Sequence, residues 1–165
     1  MELYILRHGI AVPHGAPGYE DDTKRPLTPE GRKKLRRIAR SMRRMDLSFD
    51  LILSSPYVRA RQTAEIVAGG LAPRPSLVNI DALAPDSGYA AVITELEKHA
   101  RKPRIALVGH EPDIGELGAR LVGSRRSIEF KKGAICRIDV DEIPPNGPGQ
   151  LRWFLTPKIL LSLKK

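Results

Sequence analysis

Short apolar runs alternate along this chain with longer amphipathic stretches. Leu3 to Leu6 is an unbroken apolar run of strand length, ending at Arg7-His8-Gly9. Leu51-Ile52-Leu53 and Ile105-Ala106-Leu107-Val108 are two more. Runs without polar alternation fit strands buried on both faces, as in parallel sheets. Between them lie segments with helical spacing. Thr28-Pro29-Glu30 opens the first, with Thr as N-cap, Pro at the first helical position and an acid in the first turn. Leu35, Ile38, Ala39, Met42 and Met45 then fall on one stripe. Ser54-Ser55-Pro56 leads into a second helix from about Tyr57 to Ala68, with Gly69-Gly70 as its stop. Tyr89 to His99 reads as a third, with Tyr89, Ala91, Val92 and Leu96 inward. Gly109-His110-Glu111-Pro112 turns into a fourth, from about Asp113 to Val122.

The remaining segments are shorter. Pro73 to Ile80 contains a brief strand, and Pro85-Asp86-Ser87-Gly88 a turn. Ile128 to Phe130 and Ala134 to Val140 read as a hairpin around Lys132-Gly133. Pro144-Pro145-Asn146-Gly147 is a loop and Gln150 to Leu155 a last strand. Ile159 to Leu163 is apolar and short enough to be a core contact. Strands alternating with helices predict an α/β fold, a three-layer α/β/α sandwich with a mostly parallel central sheet and antiparallel edge strands. A length of 165 residues fits a single domain, 1–165.

Composition narrows the class. With 41% hydrophobic and 28% charged residues the chain has enough apolar surface to build a core, which excludes a disordered protein. No apolar run approaches the ~20 residues of a membrane span. Glu2 stands where a secretory signal would be basic, so a cytoplasmic location is expected. The one cysteine, Cys136, cannot form an internal disulfide and reads as a small core residue in an edge strand.

The net charge of +9 raises the question of nucleic acid. Residues 32–44 (RKKLRRIARSMRR) carry eight cations and no acid, leaving 20 cations against 19 acids elsewhere. Basicity therefore belongs to one helix, whose stripe faces a core while its arginines face solvent. No aromatic residue interrupts the run to stack on bases. Nucleic-acid binding is accordingly not expected. A basic module that holds acidic partners or nucleic acid through residues 32–44 is the non-enzymatic alternative.

In open α/β sheets, ligands bind beyond the carboxyl ends of the strands. Three such ends carry chemistry here: Arg7 and His8, then Arg59 and Arg61 a few residues past the second strand, then His110. Arginine suits phosphate because its planar fork donates two parallel hydrogen bonds. Helix starts after Ser55 and Pro112 add partial positive charge at the same rim. Two imidazoles, arginines and two helix starts suit a dianion such as a phosphoryl group. GxxxxGK[ST], GxGxxG and GxSxG are absent, and His110-Glu111-Pro112-Asp113-Ile114 is not HExxH. The neighbours of His8 and His110 are arginines and Glu111, so no metal is expected. Ser54 and Ser55 read as hydrogen-bonding or capping residues.

Leu6-Arg7-His8-Gly9, Arg25-Pro26-Leu27-Thr28-Pro29-Glu30-Gly31, Ser54-Ser55-Pro56 through Arg59-Ala60-Arg61-Gln62-Thr63-Ala64, and Gly109-His110-Glu111-Pro112 occur in that order. Together they resemble the histidine phosphatase superfamily, and within it the small SixA-type phosphohistidine phosphatases. The resemblance spans residues 1 to about 122. It implies that His8 is the nucleophile, passing through a phosphohistidine intermediate, and that no cofactor takes part. It implies that Arg7 and Arg59 grip the phosphoryl oxygens, that His110 donates a hydrogen bond to them, and that Arg25 contacts phosphate. Arg61 lies 200° around the helix from Arg59, so the two cannot both face the pocket.

On this reading His8 attacks as the neutral base, one ring nitrogen held by a backbone carbonyl and the other aimed at phosphorus. The flanking arginine charges are expected to keep it neutral. Branches acting on esters use a mid-chain acid, for which Asp81 and Asp86 are the candidates, neither in a matching motif. A missing acid costs an ester substrate roughly 10²–10⁴ in rate and a phosphohistidine less. The expected substrate is therefore a phosphohistidine-bearing partner protein, which the lack of a lid insertion would admit. Small phosphate esters, with Asp81 or Asp86 as acid, are the alternative. A monomer is expected.

Overall fold

The computed structural model describes residues 1–163, so the last two residues of the expected 1–165 domain lie outside the described residues. Strand β1 (Glu2–Arg7) is followed by a long loop with a 3-10 turn at Asp22–Lys24, and then by α1 (Pro29–Arg44). The chain continues through β2 (Leu51–Ser54), α2 (Val58–Gly70), β3 (Ser76–Asn79) and a second 3-10 turn at Asp81–Leu83. Next come α3 (Gly88–Glu97), β4 (Arg104–Gly109) and α4 (Asp113–Leu121). The pair β5 (Ile135–Asp139) and β6 (Gln150–Leu155) and a short α5 (Pro157–Ser162) complete the fold.

The strands form one sheet in the order β3-β2-β4-β1-β5-β6. The first four are parallel, whereas β5 and β6 run antiparallel. Side chains alternate between the two faces of a strand, and two cores result. Leu3, Ile5, Leu53 and Leu107 pack with residues of α3 and α4 on one face. Tyr4, Leu6, Ile52 and Val108 pack with residues of α1, α2 and α5 on the other. The fold is thus the expected three-layer α/β/α sandwich. Its topology also creates a crevice. Strands β1 and β2 feed helices on one face, while β4, lying between them, feeds α4 on the opposite face. Chain segments diverge at such a point and leave an opening beyond the strand ends.

Helix α1 begins as its sequence dictates. Thr28 Oγ1 accepts the Gly31 N–H at 2.9 Å, with Pro29 in the first turn. Gly31 sits against the Ile10 carbonyl oxygen, closer than any side chain would allow. That same oxygen accepts the Thr28 N–H at 3.0 Å, so the first turn of α1 fixes the loop leaving β1. The apolar tail docks as expected, with Leu160 buried and its carbonyl accepting the Ser41 hydroxyl at 2.6 Å.

Several local expectations are corrected. Gly69 and Gly70 are not past the end of α2 but are its last two residues. Gly70 passes so close to Ala39 of α1 that a Cβ there would sit 2.6 Å from the alanine methyl; the small residue serves helix contact. The hairpin around Lys132-Gly133 does not form. Residues 128–130 are not a strand, because the Phe130 N–H is taken by Glu111 Oε1 (2.7 Å) and its carbonyl by Arg7 Nη1 (2.6 Å). The antiparallel pair is instead β5 with β6, so Cys136 lies in an interior strand, fully buried opposite Ile5. In α3 the inward residues are Val92, Ile93 and Leu96, while Tyr89 and Ala91 are half-buried.

Two glycine substitutions separate these roles. Gly31→Ala should destabilise the protein by about 1–3 kcal/mol, since the added methyl collides with backbone. Gly69→Ala, which meets nothing within 4 Å, should stabilise it by roughly 0.5–1 kcal/mol. Urea unfolding of both variants checks the pair of signs.

Candidate active site

The sheet register places the two histidines. Arg7 of β1 pairs with Gly109 of β4, so the next residues, His8 and His110, leave adjacent strands together. The His8 N–H bonds to the Gly109 carbonyl at 3.1 Å. Both imidazoles are buried, at 6% and 3% exposure, with ring centroids 5.0 Å apart. His8 Nδ1 lies 2.7 Å from the Gly9 carbonyl oxygen. A carbonyl can only accept, so the hydrogen-bond network assigns the proton to Nδ1 and leaves the lone pair on Nε2.

Arg59, in the first turn of α2, directs its Nε toward that lone pair at 3.4 Å. Its other nitrogens hold Asp22, Nη2 on Oδ2 at 3.0 Å and Nη1 on the main-chain oxygen at 2.8 Å. Arg25 takes the second carboxylate oxygen of Asp22 at 2.6 Å and the Val12 carbonyl at 2.6 Å. One carboxylate in the loop after β1 therefore clamps two guanidiniums at the rim. Thr63 ties α2 to the nucleophile loop: its hydroxyl donates to the Arg59 carbonyl (2.7 Å) and accepts the Gly9 N–H (3.0 Å). Arg7 donates Nη1 to Phe130, while its Nε is buried without a partner among the described residues.

His110 Nε2 sits 2.8 Å from Ser55 Oγ, which also accepts the Tyr57 N–H at 3.3 Å. The Tyr57 ring meets His110 edge-on at 5.2 Å and carries the Arg59 guanidinium at 5.1 Å. His110 Nδ1 is a second buried nitrogen without a partner among the described residues.

These surroundings set the charge states. Burial, opposed by the Gly9 hydrogen bond and reinforced by His110, Arg59 and Arg7, pushes His8 down to about 3. Burial and then the Arg59 charge push His110 down to about 3 as well. Desolvation, more than the arginine charges expected to do so, keeps His8 neutral. Burial would raise the Asp22 carboxyl, but Arg25 and Arg59 hold it below the ordinary carboxylate range. Burial and the charges of Arg7, Arg25 and Arg59 lower the Lys132 ammonium.

Of the residues singled out from sequence, His8, His110 and Arg59 converge, Arg7 flanks them, and Arg25 joins through Asp22. Arg61 faces away, 45% exposed and 3.7 Å from Glu65. Asp81 and Asp86 are exposed, and neither carboxylate hydrogen-bonds to an imidazole. Among the described residues, no group of three or more His, Cys, Asp or Glu is placed to hold a metal ion, and no helix is long and apolar enough to cross a membrane. Asp22, Thr63, Glu111 and Lys132 were missed as site residues. Thr63 and Glu111 stood inside the quoted motifs without a role, and Asp22 is an acid three residues before Arg25 in a loop of Gly, Pro and acids.

The chain is similar to known proteins over most of its length. Residues 3–83 match the model of the histidine phosphatase superfamily, branch 1. The phosphohistidine phosphatase SixA homolog of Haemophilus influenzae is 30% identical over 147 residues, covering 84% of this chain and 87% of that protein. The chain belongs to the histidine phosphatase superfamily. Within the superfamily it is of the SixA type. An uncharacterized protein of Picosynechococcus is 36% identical over 168 residues, 98% of this chain and 99% of that one. A solved structure of the protein histidine phosphatase SixA complexed with tungstate superposes with a TM-score of 0.84 at 28% identity, covering 96% of this chain and 98% of that chain. Like other histidine phosphatases, the protein is a phosphatase.

The buried neutral histidines carry a stability signature. Between pH 6.5 and about 3 the unfolded chain protonates both imidazoles while the folded protein does not. Stability therefore falls on acidification, by up to ~1.4 kcal/mol per pH unit for each histidine. Urea unfolding at pH 7 and pH 5 should show the wild type losing about 2 kcal/mol more than His8→Asn. Equal losses would contradict the buried neutral state of His8.

Proposed function

We propose that this phosphatase removes the phosphoryl group from phosphohistidine on a partner protein, with His8 Nε2 as nucleophile. The observation that carries this reading is the His8 imidazole itself: buried, neutral, fixed in one tautomer by Gly9, its lone pair directed among cations. Attack forms an Nε2–P bond as the P–N bond to the substrate imidazole breaks, and the departing ring nitrogen takes a proton from solvent. Positive charge then develops on the His8 ring, where the Gly9 carbonyl at Nδ1–H stabilises it. Water next attacks phosphorus, releasing inorganic phosphate and restoring the neutral ring. Splitting transfer into two displacements replaces one difficult step with two easier ones.

Charge on the equatorial oxygens would be met by Arg59, Arg7 and His110, the electrostatic contribution that phosphoryl transfer depends on most. Arg7 Nε and His110 Nδ1 support this role. Buried polar nitrogens normally find a partner, and phosphoryl oxygens would supply acceptors. Arg25 would act through Asp22, holding the Arg59 guanidinium in place. Tungstate, found in the SixA structure, is a tetrahedral oxyanion of the same class as phosphate.

The leaving group favours phosphohistidine over an ester. Neither Asp81 nor Asp86 is bonded into the site as a proton donor, and an alkoxide suffers more from that lack than an imidazole does. The name of the Haemophilus relative points the same way.

A histidine phosphotransfer domain carrying 32P on its histidine should lose the label to inorganic phosphate with wild-type protein. His8→Ala should abolish release, and Arg59→Ala should slow it roughly 10²–10³-fold. Alkaline quenching during turnover should trap base-stable, acid-labile label on the wild type and none on His8→Ala. Undiminished release by His8→Ala removes His8 from the chemistry; faster turnover of p-nitrophenyl phosphate than of the phosphodomain removes the proposed substrate.

A further inference from the structure

Beside Arg7 a groove of about 460 Å³ opens between the start of α1, the turn before β5 and the start of α5. Lys34, Lys131, Lys132 and Lys158 line it, and no carboxylate does. Lys131 is paired with Glu129 at 2.9 Å, whereas Lys34, Lys132 and Lys158 form no ion pair among the described residues. Arg7 itself lines the groove beside Lys132, whose ammonium is lowered first by burial and then by the charges of Arg7, Arg25 and Arg59.

The charge continues along α1. Lys34 lies on the side of the helix that faces α5, and further along the same side Arg37, Arg40 and Arg44 border a second cleft against Leu161 and Leu163. None of these arginines has an acidic partner among the described residues; Arg44 donates to the Leu163 carbonyl at 3.1 Å. From Lys34 to Arg44 the helix rises about 15 Å. A cationic track of that length, starting at Arg7, is far longer than one phosphoryl group.

We infer that the Lys34–Lys132–Lys158 groove and the adjoining face of α1 are the docking surface for an acidic face of the protein that presents its phosphohistidine to His8. This inference rests on the phosphohistidine-protein reading and names the character of that partner. Complementary charge of this kind raises the encounter rate and sets orientation. It also accounts for the concentration of the chain's net charge in residues 32–44, a feature that the chemistry at His8 does not require. The lining has no aromatic side chain on which bases could stack, which favours an acidic protein over nucleic acid.

The test compares two P–N substrates, an acidic histidine phosphotransfer domain phosphorylated on histidine and the small molecule phosphoramidate. Lys34→Glu/Lys158→Glu should lower kcat/KM for the domain at least about tenfold and change phosphoramidate turnover less than about twofold. Lys34→Gln/Lys158→Gln should give a smaller loss of the same selectivity. Wild-type kcat/KM for the domain should fall about tenfold between roughly 50 and 300 mM NaCl, with phosphoramidate nearly flat. If the charge-reversed variant turns over both substrates like wild type, or loses both equally, the docking surface is overturned and the phosphohistidine reading stands. If wild type hydrolyses phosphoramidate and leaves the domain untouched, that reading itself fails. Unchanged turnover of the domain by the variant, together with salt-sensitive DNA-duplex binding lost in it, would assign the surface to nucleic acid and overturn the proposal.

Discussion

An imidazole that must attack phosphorus has to stay unprotonated, yet the group it attacks is a dianion that must be held by cations. Packing cations around a histidine helps to keep it neutral, and burial is the larger influence on both His8 and His110. The constraint reaches back to the sheet. Only because β4 lies beside β1 in parallel register do the two imidazoles emerge together at a buried strand end. The reversal of helix side at β4 then opens the crevice above them.

Around that pair the site is held by connections from outside the sheet. Asp22 reaches in from the loop after β1 and joins Arg25 to Arg59. Thr63 links the Gly9 amide to the turn of α2 that carries Arg59. On the other side, the Phe130 peptide is gripped at both ends, by the Glu111 carboxylate and by Arg7. Burial and the nearby acids Glu129 and Asp113 raise the Glu111 carboxyl, against the Phe130 N–H and the Arg7 charge. Arg7, Arg25 and Arg59 thus each have a fixed anchor. Preorganised donors of this kind need no rearrangement when charge develops.

How much was legible in the sequence depended on whether the information was local. Strand-length apolar runs such as Leu3–Leu6 and Ile105–Val108 identified the buried parallel strands, and the Thr28-Pro29 signal fixed the start of α1. Chemistry at strand ends, Arg7-His8 and His110, followed from the same reading. Asp22 was not legible because its role depends on how a long loop folds back over α2, which no periodicity encodes. The failed hairpin at 128–130 has the opposite cause: β-like residues were present, but side chains from β1 and the loop before α4 claimed their backbone groups. Gly69-Gly70 placed the end of α2 two residues early because glycine can serve either to end a helix or to let two helices approach closely. At Gly70 the neighbour Ala39, distant in sequence, decided between the two.

The most direct measurement of the central claim is the nitrogen chemical shifts of the His8 ring, followed by NMR from pH 8 to pH 5. A neutral imidazole bearing its proton on Nδ1 and its lone pair on Nε2 throughout that range is the predicted result. A protonation midpoint near the ordinary histidine value, or a proton resident on Nε2, would contradict the account.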